Sequence, residues 1–78
     1  MDNAFIKSLV NEKYFGDLIF ALDDPIVKKA LSDDYMLCLS IMDEFFERIC
    51  LADPVSDYEK DKKASIQQEI MNKINLED

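Results

Sequence analysis

Histidine is missing from this 78-residue chain, glycine occurs once, proline and cysteine occur twice each, and Arg48 is the only arginine. Each scarcity excludes something. Without histidine the chain lacks the side chain that most readily exchanges a proton near neutral pH. Neither Cys38 nor Cys50 has an evident activating neighbour, and one glycine cannot build a Gly-rich phosphate loop. No Walker-type or Rossmann fingerprint is present. A protein that is not an enzyme and holds no cofactor is expected.

Metal chemistry is equally short of ligands. The doublets Asp23/Asp24 and Asp33/Asp34 lack the D-x-D-x-D-G loop of a calcium hand. Two cysteines without histidine or a second cysteine pair make no zinc site. Long apolar runs are also absent: no segment approaches the ~18 residues needed to span a bilayer. The opening MDNAFIKSLVNEKYF carries Asp2 and Glu12 and has no basic start followed by an apolar core, so no signal peptide is expected. These features predict no membrane association and a cytoplasmic location.

Basic residues are scarce too. Nine Lys and Arg stand against 17 Asp and Glu, a net charge of −8. Nucleic-acid binding depends on cations that neutralise phosphates, so direct DNA or RNA binding is disfavoured. The same charge favours encounter with a basic protein surface, and it also keeps a small apolar domain soluble.

What the chain does contain is apolar residues, 49% of the total, enough for a core. Its length suits a single all-α domain over residues 1–78. A first helix is predicted over residues 4–13, capped by Asp2 or Asn3, with Phe5, Ile6, Leu9 and Val10 on its buried face. Gly16 should stop it. A short helix is expected in DLIFALDD, since no second strand-like segment exists to pair with it. Asp24 before Pro25 is an N-cap followed by proline at the first helical position, opening a helix over residues 25–31. Ser32, Asp33 and Asp34 end that helix and cap the next.

The longest apolar stretch, residues 34–51, reads as a central helix nearly surrounded by the others. Asp53 and Pro54 should end it. Both cysteines fall within it, twelve positions or ~18 Å apart, too far for a disulfide, and are expected as reduced core residues. Ser56 and Glu59 match the S-x-x-E capping box of a last helix over residues 57–75, docked through Ile66, Ile70, Met71 and Ile74. Connections are short. The whole reads as a compact bundle of four to five helices.

In SIMDEFFERICLADP the polar residues Ser40, Asp43, Glu44, Glu47 and Arg48 recur at helical spacing and form one strip. Glu44 and Arg48 can pair at i, i+4, whereas Asp43 and Glu47 at the same spacing repel by a few tenths of a kcal/mol. Carboxylates so placed are more often a solvated face than an acid/base pair. Between Asp17 and Glu59 there are eleven acids and three bases. If the strip continues through Asp53, Asp57, Glu59 and Asp61, it forms an acidic surface suited to a cationic cleft.

The order of elements in IMDEFFERICLADPVSDYEKDKKASIQQEIMNKI, residues 41–74, resembles the small helical immunity proteins of the colicin D type. An aromatic-rich helix, an acidic Asp-Pro turn and an amphipathic helix carry the likeness. It implies a protein that plugs the basic active-site cleft of a tRNA-cleaving toxin, with Asp43, Glu44, Glu47, Asp53, Asp57, Glu59 and Asp61 as inhibitory carboxylates. Small phage-encoded inhibitors of host nucleases or CRISPR effectors share this size and charge. The leading expectation is therefore an acidic inhibitor of a basic nucleic-acid-handling protein. The alternative is a structural or regulatory adaptor acting through an apolar homodimer or docking interface, built on Tyr14, Phe15, Phe20, Phe45 or Phe46, although most of these rings are expected in the core.

Overall fold

Side-chain caps set most of the helix boundaries, and those of Asp24, Asp34 and Ser56 lie where the sequence places them. In the computed structural model, which describes residues 3–75, the carboxylates of Asp17, Asp24 and Asp34 accept from the N–H groups of Phe20, Ile26 and Leu37. The hydroxyl of Ser56 accepts from Glu59 N–H. These caps open α2 (Leu18–Ala21), α3 (Pro25–Asp33), α4 (Tyr35–Arg48) and α5 (Asp57–Ile74). Preceding them is α1 (Asn3–Ser8), which continues as a π-helical turn over Leu9–Lys13. The expected cap Asp2 lies outside the described residues, which contain no strand.

The π-helical turn departs from the expected uniform helix. Ile6, Val10 and Tyr14 are spaced by four, and in an α-helix each such step rotates by ~40° away from a straight line. The wider i→i+5 turn reduces that drift, leaving Ile6 and Val10 buried and Tyr14 half-buried against the core. Phe5, expected on the same face, is 50% exposed.

All the helices feed one core. It contains Ile6 and Val10, Leu18 and Ala21, Val27 and Leu31, Ile41 and Phe46, and Ile70 with Ile74. α3 touches both α4 and α5, while α2 rests on α4. Only the C-terminal half of α5 docks: Ile70 and Ile74 are buried, Ile66 and Met71 half-buried, and no residue of its first three turns is fully covered. The structure is an all-α bundle, and no helix among the described residues is long and apolar enough to cross a membrane.

The central helix is shorter and less enclosed than predicted. It ends at Arg48, before Asp53 and Pro54, because Cys50 adopts the left-handed conformation at φ 61°. Leu51 N–H then bonds the Phe46 carbonyl at 2.8 Å and Cys50 N–H the Glu47 carbonyl at 3.2 Å, a Schellman closure. Buried Leu51 follows the turn into the core. Tyr35 and Met36 at the other end are exposed. The cysteine expectation divides accordingly: Cys38 is a buried thiol, whereas Cys50 is exposed and outside the helix. Of the aromatic rings, Phe45 and Phe46 are core, Tyr14 is half-buried, and Phe15 and Phe20 are exposed.

Candidate functional site

The strip on α4 is built by helical periodicity alone. Leu37, Cys38, Ile41, Met42, Phe45 and Phe46 turn inward, which forces Asp43, Glu44 and Glu47 outward, and all three are exposed. Asp43 and Glu47 stand one turn apart, and their carboxylates have no hydrogen-bond or ion-pair partner among the described residues. Glu44 differs, since Lys7 of α1 approaches it to 4.0 Å.

Arg48 does not pair with Glu44 as expected. Its guanidinium donates to Asn11 Oδ1 at 2.7 Å and lies over Gly16, where a Cβ would sit 2.7 Å from its Cζ. That tie holds the end of the π-helical turn against the end of α4, and it takes the strip's own cation away from its carboxylates. The repulsion between Asp43 and Glu47 is left without an internal counter-charge.

The remaining acidic candidates lie around the corner into α5. Asp53, Asp57 and Asp61 are exposed and without partners among the described residues. Glu59 is occupied: its N–H is capped by Ser56 Oγ at 3.1 Å, and its Oε2 accepts from Val55 N–H at 3.2 Å. Helix capping thus accounts for Glu59. Lys63 brings the start of α5 against this corner by donating to the Ala52 carbonyl at 3.0 Å, with its ammonium 5.2 Å from the Phe46 ring centre. Lys60 and Lys62 intervene between the acids of α5, so negative charge is purest at Asp43 and Glu47.

A second carboxylate centre is structural. Asp24 accepts from the Tyr14 hydroxyl and from Ile26 N–H, with Lys13 at 3.8 Å. The Tyr14 bond first, and the Ile26 bond next, hold its carboxyl below the usual carboxylate value. The same bond raises the Tyr14 hydroxyl. Burial alone pushes the Cys38 thiol up, the opposite of an activated nucleophile.

Among the described residues, no group of three or more Cys, Asp or Glu side chains is placed to hold a metal ion. The arrangement offers exposed negative charge on a helix, which can bind cations of a partner. Sequence reasoning named Phe15 among five candidate docking rings, most of them expected in the core, without singling it out, and it missed the tie of Arg48 to Asn11 over Gly16. Their signal was the lone glycine at position 16, which marked a left-handed turn without showing what packs on it. Comparison with family models, with curated proteins and with solved structures finds no match to this chain.

Proposed function

We propose that this protein is an acidic helical inhibitor that binds a basic nucleic-acid-handling protein and blocks its cleft, as a toxin immunity protein or a phage-type inhibitor of a nuclease or CRISPR effector would. One observation carries the reading. Asp43 and Glu47 are exposed one turn apart on α4 while the adjacent cation, Arg48, is bonded to Asn11. Their spacing of ~6 Å along the helix axis is comparable to the span of a couple of phosphates on a nucleic-acid strand. The resemblance of residues 41–74 to colicin D-type immunity proteins adds support, and a cytoplasmic location fits the same role. The proposed partner-facing residues are Asp43, Glu44 and Glu47, followed by Asp53, Asp57 and Asp61.

The test is capture from source-cell lysate at low and high salt by the protein and by its Asp43→Lys/Glu47→Lys variant. A basic nucleic-acid-binding protein held only by the parent and only at low salt is expected, and adding the parent should block that partner's nucleic-acid binding. Equal capture by parent and variant would exclude the acidic strip. The adaptor reading is favoured by a different observation, the exposure of Phe15 and Phe20. It predicts association that resists salt and is lost when those rings are truncated.

A further inference from the structure

The turn after the π-helical segment holds an aromatic ring out in solvent. Phe15 sits at φ 55° with 85% of its surface exposed, and Gly16 follows at φ 77°. Two successive left-handed residues are an unusual conformation for an L-chain. This one is tied from both sides, by Gly16 N–H to the Val10 carbonyl at 2.9 Å and by the Arg48 guanidinium above it. Beside it opens a groove of about 330 Å³, walled by Phe15, Ile19 of α2, and Phe45 and Ile49 at the end of α4. Asp17 and Arg48 complete the lining.

The apolar walls suit an apolar side chain, and the surrounding charge selects what accompanies it. Arg48 keeps its charge, since Asn11 is a neutral acceptor, and balances Asp17 within the lining. The excess negative charge comes from the unpaired carboxylate of Glu47 on the adjoining turn and from the −8 of the whole chain. The groove also lies at the negative end of the α4 dipole. A second copy of this chain would bring another charge of −8 to the contact, which opposes self-association. We infer that the groove seats an aliphatic or aromatic side chain of a partner segment flanked by Lys or Arg, with Phe15 packing over it. This rests on the proposed role as an acidic binder and supplies its anchor, since buried aromatic contacts carry most interface energy and rim charges mainly steer.

The probes are capped Lys-Lys-Phe-Lys-Lys, its counterpart with a central Ala, and Glu-Glu-Phe-Glu-Glu, each titrated into the isotope-labelled 78-residue chain and followed by amide NMR shifts. The basic Phe peptide should bind roughly ten-fold more tightly than the Ala peptide, moving signals of Phe15, Ile19 and Ile49. Phe15→Ser should erase that advantage, and Phe15→Tyr should keep it. Equal binding of the two basic peptides, with shifts confined to the Asp43 and Glu47 region, would overturn the groove while leaving the acidic strip intact. Equal binding of the acidic peptide would overturn the charge selection. No binding of either basic peptide would remove both readings, and a Phe15-dependent dimer in sedimentation would make a second copy the occupant and overturn the assignment.

Discussion

At the residue scale, two left-handed positions separate local cost from local use. Cys50 closes the Schellman turn of α4 at φ 61°, a place where glycine is the usual choice because a Cβ costs about 1–2 kcal/mol there. Its side chain is exposed, so little packing is lost on removing it. Cys50→Gly should therefore stabilise the fold by about 1 kcal/mol, net of the extra unfolded-chain entropy. Gly16→Ala should act in the opposite sense and destabilise by about 1–2 kcal/mol, since φ is 77° and the new Cβ would meet the Arg48 guanidinium. Urea midpoints at constant slope compare the two, and shifts of the same sign would refute the account. The glycine was readable from sequence because its residue type announces its conformation. The cysteine was not, because nothing about its type does.

At the element scale, most caps were legible because each is a contact within three residues: Asp24, Asp34 and Ser56 cap as their sequences suggest, and Asp17 adds a cap that was not foreseen. Asp24 does more, for it also joins the end of the π-helical turn to α3 through Tyr14. Its carboxyl is lowered in the folded state, so the stability it contributes is present above the unfolded carboxylate value and is lost as pH falls through the folded one. The loss should fall below about pH 4. Asp24→Asn keeps a competent cap but should flatten this part of the acid unfolding curve, measured by thermal denaturation between about pH 2 and 5. An unchanged acid limb would show that the Tyr14 bond carries no linkage. The tie to Tyr14 spans ten positions, which is why the cap was foreseen and its second partner was not.

At the scale of the whole molecule, a charge of −8 on a small bundle acts on folding and binding with opposite salt dependence. Self-repulsion opposes the folded state, and screening relieves it, so the melting temperature should rise between low salt and about 0.5 M NaCl. Association with a basic partner should weaken over the same range. Calorimetry of the free protein and of its partner complex checks both signs, and a melting temperature that falls with salt would mean the internal ion pairs outweigh the repulsion. The sequence by itself determined the all-α class, most of the caps, the inward face of α4 and the outward direction of Asp43, Glu44 and Glu47. Those properties follow from residue type, short-range hydrogen bonding and helical periodicity. Only the tertiary structure decided that Lys7 approaches Glu44, that Arg48 is taken by Asn11, and that Phe15 overlooks a groove. Most of these depend on which chain segments meet in space: Arg48 and Asn11 are 37 positions apart, and no spacing rule links residues so distant.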